Sequence, residues 1–95
     1  MYPKSEDIKE FMQYSIIRLD EAKQFVERYF YDKSHDSFSI RINKRNRDVY
    51  EDDYILKDKE NNLFVVSSEV FEREYASFLR GEWVKNIAYE ITPEY

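Results

Sequence analysis

Tyr54-Ile55-Leu56-Lys57 and Leu63-Phe64-Val65-Val66 are two short apolar runs separated by a polar spacer that includes Lys59-Glu60-Asn61-Asn62. Runs of this length, rich in β-branched and aromatic residues and divided by turn formers, predict the two arms of a hairpin. Upstream, Phe38, Ile40 and Ile42 alternate with Ser39 and Arg41, the period-two pattern of a half-buried strand. Asn43-Lys44-Arg45-Asn46 reads as a turn, and an extended segment resumes at Val49-Tyr50. Ile8 to Tyr14 reads as a further strand. A helix beginning at Ser5 competes with it, because Glu6, Asp7 and Glu10 suit a helix's first turn.

Two segments carry the helical period instead. Ala22, Phe25, Val26, Tyr29 and Phe30 fall on one face, with Lys23, Glu27 and Arg28 opposite, which predicts a helix capped by Asp20 and ended by the loop at 32–36. Ser67 is placed to cap a second helix whose apolar face is Val70, Phe71, Tyr75, Phe78 and Leu79. Gly81, the only glycine, falls where a C-terminal cap belongs. The tail, with Trp83, Val84, Ile87, Tyr89 and Ile91, reads as a last strand or a packed arm over 82–95, and residues 1–7 as a loose lead. The expected order is β-α-β-β-β-α-(β), an α+β fold with a small, mainly antiparallel sheet and two helices. The 95 residues suit a single domain over 1–95.

Composition narrows the chemistry. There is no cysteine and one histidine, so disulfides, thiolate metal sites and a thiol nucleophile are excluded, and a multi-histidine site is disfavoured. One glycine leaves no glycine-rich phosphate loop. Twenty acids against fifteen bases give a net charge of −5, unlike the basic footprint of a protein that holds nucleic acid nonspecifically. No run is long and apolar enough for a membrane helix, and the N-terminus carries no apolar signal region, so a cytosolic protein is expected.

Glu51-Asp52-Asp53-Tyr54-Ile55-Leu56-Lys57-Asp58, then Leu63-Phe64-Val65-Val66-Ser67, then Val70-Phe71-Glu72-Arg73-Glu74-Tyr75 resembles a signature of small bacteriophage and prophage proteins. In those proteins a Gly-Asp-Tyr-Ile-Ile-Lys strand leads across a short turn to Phe-Tyr-Pro-x-Lys/Ser-Pro and a helix of the type Phe-Glu-x-x-Tyr. Ile8 to Tyr14 is similar to the family's Glu-Ala-x-Gln-Phe/Trp strand, and Asp20 to Tyr29 to its Glu-Ile-x-x-Phe helix. The resemblance covers about residues 8–76 and implies a phage origin; it carries no catalytic residue. Here Glu51-Asp52 stands for the family's Pro-Gly and Ser68 for the proline at the helix start. Loss of that glycine, which tolerates positive φ, predicts a turn of a different type.

Several clusters are candidates for function. Glu51-Asp52-Asp53, with Asp48 and Asp58 nearby, reads as a solvated turn, as a cation site or as a mimic of nucleic-acid phosphates. Arg41, Lys44, Arg45 and Arg47 beside Tyr50 read as an edge-protecting hairpin or a single-strand contact. His35, flanked by Asp32 and Asp36, has the neighbours of a general base but no evident nucleophile and reads as a loop residue. Phe25, Phe30, Phe38, Phe64, Phe71 and Phe78 are assigned to the core. Tyr2, Tyr14, Tyr31, Tyr50, Tyr89, Tyr95 and Trp83 are left as surplus rings. Tyr and Trp are enriched at binding hot spots, so Trp83, Tyr89, Tyr50, Glu51, Asp52 and Asp53 form the expected partner-binding set. The leading expectation is a non-catalytic phage-derived interaction protein in the host cytoplasm. It would occupy a host protein such as a nuclease or another defence component, as anti-CRISPR inhibitors do, with no cofactor. The alternative is a structural phage module that homo-oligomerises.

Overall fold

Backbone pairing sorts the strands of the computed structural model, which describes residues 2–79, into two antiparallel three-stranded sheets. The elements are β1 (Ile8–Gln13), α1 (Leu19–Val26), β2 (Tyr29–Asp32), β3 (Ser37–Ile42), β4 (Arg45–Val49), β5 (Tyr54–Asp58), β6 (Leu63–Val66) and α2 (Ser68–Glu74). One sheet has the order β1-β5-β6 and the other β2-β3-β4. This is an α+β architecture, as the sequence predicts, with five strands between the helices where three were expected and two sheets in place of one.

The extra strands come from segments whose patterns mislead. Tyr29 and Phe30 continue the helical period of α1, yet α1 stops at Val26. The Arg28 amide bonds the Val26 carbonyl at 2.6 Å around Glu27, which has φ 65° and ψ −43°. That is a γ-turn of the less favoured hand, and it redirects the chain into β2. Phe30 is consequently exposed rather than core. The helix start also differs from expectation. Asp20 lies inside α1, and Ser15 caps a short 3-10 turn, Ile16–Arg18, that runs into it. In β4, Arg45-Asn46-Arg47-Asp48 shows no apolar alternation, but a two-residue loop, Asn43 at φ 50° and Lys44 at φ 68°, turns β3 back on itself. Paired positive φ values match the twist of hairpin strands.

Sheet β1-β5-β6 is covered on both faces, which explains the unbroken apolar run of its central strand. Ile55, with Met12 and Val65, packs toward Ala22 and Val26 of α1 and toward Phe38 and Ile40 of β3. Tyr54, Leu56 and Val66 pack on the other side with Phe71, Tyr75 and Leu79. Phe71 stacks on Tyr54 with ring centroids 3.7 Å apart and planes 2° from parallel. Ser67 caps α2 as predicted, its hydroxyl accepting the Val70 amide at 3.1 Å. Phe78, expected in the core, is exposed. The lead is tied down at several points. Ser5–Asp7 forms a 3-10 turn, the Ser5 hydroxyl donates to the Glu74 carbonyl, and the Tyr75 hydroxyl donates to the Pro3 carbonyl at 2.7 Å. Gly81 and the predicted strand or arm at 82–95 lie outside the described residues.

Candidate interaction site

The turn from β4 to β5 is built by the acidic residues the sequence singles out. The Asp53 amide donates to the Tyr50 carbonyl at 3.0 Å, while the Asp53 carboxylate accepts the Tyr50 amide at 2.9 Å. Asp52 sits at φ 74°, in the left-handed region that glycine enters without a Cβ penalty. Aspartate is among the few side chains that tolerate this region. Both sides of the turn are pinned to Tyr14. Its amide bonds the Asp53 carbonyl at 2.7 Å, and its carbonyl accepts the Asp52 amide at 3.0 Å. Glu51 reaches across to the start of α1, accepting the Ser15 hydroxyl at 2.6 Å and the Ile16 amide at 3.1 Å. The Ser15 hydroxyl and then the Ile16 amide hold its carboxyl below the ordinary glutamate range. Glu51, Asp52 and Asp53 therefore point to separate tasks rather than to one convergent set of oxygens. Among the described residues no group of three His, Asp or Glu side chains is arranged to hold a metal ion.

Tyr50 is different. Two-thirds of it (66%) is exposed, and its hydroxyl donates to the Asp48 carboxylate at 3.3 Å. It lines a cleft of about 310 Å³ together with Tyr14, Ile16, Phe38, Val49 and Glu51. Pairing of Phe38 with Val49 brings the loop before β3 to the same cleft, so Asp36 and His35 join Asp48 and Glu51 in its lining. Tyr14 stacks on Phe38 at 5.1 Å with planes 6° apart. Although grouped by sequence with the surplus rings, Tyr14 is only 3% exposed. Its hydroxyl is buried and has no hydrogen-bond partner among the described residues. Burial, then Glu51, Tyr31 and Asp36, push that hydroxyl above the ordinary tyrosine range, so it is neutral and able both to donate and to accept.

His35 closes its loop. Its Nδ1 lies 2.8 Å from the Asp32 carboxylate and 3.0 Å from the Ser34 hydroxyl, and that hydroxyl also reaches Asp32 at 2.7 Å. Both partners meet the same ring nitrogen, whereas a proton relay uses the two nitrogens separately. The basic side chains Arg41, Lys44, Arg45 and Arg47 are exposed on the β3–β4 hairpin. Arg45 and Arg47 line a second groove, about 450 Å³, with Phe64 and Leu63 of β6. Of the expected partner-binding set, Tyr50, Glu51, Asp52 and Asp53 share one turn, while Trp83 and Tyr89 lie outside the described residues. Sequence reasoning did not connect Tyr14, Ile16 and Asp36 to that turn, because they are joined to it only by the register of β3 with β4 and by long-range hydrogen bonds from Tyr14 and Ile16.

No protein family, curated protein or solved structure matches the chain. Among the described residues, no helix is long and apolar enough to cross a membrane.

Proposed function

We propose that this chain is a non-catalytic interaction protein of bacteriophage or prophage origin that acts in the host cytoplasm by occupying a host protein, as anti-CRISPR inhibitors and other anti-defence proteins do. The observation that carries the reading is the exposed ring of Tyr50 in the lining of a surface cleft that also includes Ile16 (38% exposed) and the carboxylates of Asp36, Asp48 and Glu51. An exposed tyrosine, here presented on a hydrogen-bonded turn, is a common anchor at protein interfaces. Acidic neighbours favour a partner with a basic surface and speed its encounter, which suits a nuclease or another protein that handles nucleic acid. The phage resemblance supports the source of the chain and the class of its target.

Tagged protein incubated in bacterial lysate, followed by reconstitution of any captured protein from purified components, tests this reading. A stoichiometric complex that blocks the captured protein's activity, and that Tyr50→Ala weakens, is the expected result. Absence of such a complex, together with a discrete homo-oligomer by light scattering, overturns it in favour of the structural phage module.

A further inference from the structure

Each sheet ends on a strand that borders one shared groove. In β6, the Asp58 amide donates to the Asn62 carbonyl at 3.0 Å, and the register carries the bonded pairs on to Leu56 with Phe64 and Tyr54 with Val66. Bonded and non-bonded pairs alternate along an antiparallel ladder, so the Leu63 amide and carbonyl turn away from β5. In β4, the two-residue loop closes on Ile42 and Arg45, a pair bonded across the turn. By the same alternation Asn46 turns its amide and carbonyl away from β3. Among the described residues neither edge pairs with a further strand.

The groove between them encloses about 450 Å³. Leu63 and Phe64 point to opposite faces of β6, yet both line it, as do Arg45 and Asn46 of β4, so it follows the strand edges rather than a sheet face. A neighbouring hollow of about 320 Å³ shares Ile42, Leu63 and Phe64 with it. We propose that this groove docks an extended segment of a protein partner, an acid–apolar–acid run that adds to the free strand edges.

Charge selects the acids. Cross-strand neighbours share a face. Arg45 stands opposite Ile42 and Arg47 opposite Ile40, so both arginines belong to the face that Ile40 presents to the core, but they lie at its open border and are exposed. Among the described residues neither makes an ion pair. Inward-facing charge on an edge strand discourages pairing with apolar or basic strands, whereas a strand that brings carboxylates turns that repulsion into attraction. Two positions apart, the arginines are spaced by about 7 Å along β4, which matches carboxylates at i and i+2 of an extended chain.

The walls select the rest. The residue between the two acids points to the opposite face, where half-buried Phe64 offers apolar surface, and half-buried Leu63 and Ile42 suit the aliphatic stems of glutamates. The outward groups of Leu63 and Asn46 are donors and acceptors in alternation, the pattern that another peptide backbone complements. A nucleic-acid strand would meet the same arginines, but its phosphates gain nothing from the edge carbonyls, and the net charge of −5 opposes it. The assignment does not rest on Tyr50, which follows β4 at the end away from the hairpin loop.

The test is an NMR titration of the full chain with the acetylated, amidated peptide Glu-Val-Glu-Val-Glu, compared with Gln-Val-Gln-Val-Gln and with a thymidine pentanucleotide. Saturable shifts at Asn46, Leu63 and Phe64 are expected with the acidic peptide. Hydrogen exchange of the Asn46 and Leu63 amides should slow, which reports main-chain pairing and not charge attraction alone. The glutamine peptide should bind the unaltered chain about tenfold more weakly, and the acidic peptide should lose about as much on the double variant Arg45→Ala, Arg47→Ala, as two exposed ion pairs imply. The double variant should keep its melting temperature, because both side chains are exposed; should it not fold, the two peptides on the unaltered chain still decide. Tyr50→Ala should leave the affinity unchanged. Equal binding of the two peptides, unslowed exchange, tighter binding of the oligonucleotide, loss of affinity in Tyr50→Ala or full affinity in the folded double variant would each overturn the proposal. Self-association that slows the same amides would give the groove to a second copy. Shifts at Asn46 and Leu63 caused by Ile87→Asp in the free chain would give it to the chain's own residues 80–95. Either result overturns the partner as its occupant.

Discussion

Glu51 accepts the hydroxyl of Ser15, 36 positions earlier in the chain, at 2.6 Å, so the turn that presents Tyr50 is fastened to the segment that starts α1. The same carboxylate takes the Ile16 amide, while the Ser15 hydroxyl accepts the Ile17 amide at 3.4 Å. One small network thus caps a helical entry and ties together Ile16 and Glu51, two of the cleft's lining residues. Removing either partner should loosen both.

Ser15→Ala should therefore lower stability by about 1 kcal/mol, the usual loss for a helix-capping hydroxyl. Glu51→Gln should also destabilise. Because the two side chains share one network, the double variant should lose less than the sum of the single losses. Urea unfolding of the four proteins measures this directly, and strict additivity would mean that the two residues do not act together.

Acid should destabilise the fold through Glu51 and two other hydrogen-bonded carboxylates, Asp32 and Asp58. Asp32 is held below its ordinary range by hydrogen bonds from Ser34 and then His35, and Glu51 by those from Ser15 and Ile16. At Asp58, burial pushes upward, but bonds from Asn62 and Glu60, helped by Lys9, outweigh it and leave the carboxyl lowered. A carboxyl lowered in the folded state contributes stability that is complete above its unfolded value and is lost as pH falls through the folded value. The melting temperature should hold through neutral pH and drop as the solution passes below the ordinary carboxylate range. Replacing Asp32, Glu51 and Asp58 by their amides should flatten that acid limb. A limb of unchanged steepness in the triple variant would assign it to other groups.

Two phenylalanines that the sequence places alike should behave oppositely. Phe71 is fully buried and stacks on Tyr54, so Phe71→Ala should cost about 3–5 kcal/mol. Phe30 is 65% exposed on β2, so Phe30→Ala should change stability by no more than about 0.5 kcal/mol. Guanidinium unfolding distinguishes them. A large loss at Phe30 would restore it to a core role.

Backbone geometry at Asp52 provides a further check. With φ at 74°, Asp52→Gly should leave stability unchanged or raise it by up to about 1 kcal/mol, since glycine enters this region without a Cβ penalty. Asp52→Val should lower stability by about 1–3 kcal/mol, because a branched side chain is strained there. Equal melting temperatures for the two variants would contradict the turn geometry.

The parts of the fold legible in sequence are those where period and burial agree. Phe38, Ile40 and Ile42 alternate because they lie on the one face of β3 that packs into the core, and Tyr54-Ile55-Leu56 is unbroken because β5 is covered on both faces. Ser67 announces α2 because a cap is a local device. The pattern fails at β2, where Tyr29 and Phe30 fit the helical face of α1 and the break at Glu27 lacks the glycine that would mark it. It fails again at β4, whose first four residues are exposed and polar. Of the candidate site, Tyr50 and the acidic turn are visible as composition. The cleft is not, because Asp36 and Tyr14 reach Tyr50 only through the pairing of Phe38 with Val49 and the bonds from Tyr14 to Asp52 and Asp53.

A photo-crosslinking residue installed in place of Tyr50, in the full chain expressed in bacterial cells, tests the interaction surface most directly, with the same residue at exposed Lys59 as comparison. We expect one discrete adduct from position 50 that contains a host protein, and none from position 59. An adduct containing only a second copy of this chain, or identical patterns from the two positions, would contradict a partner-binding role for the Tyr50 surface.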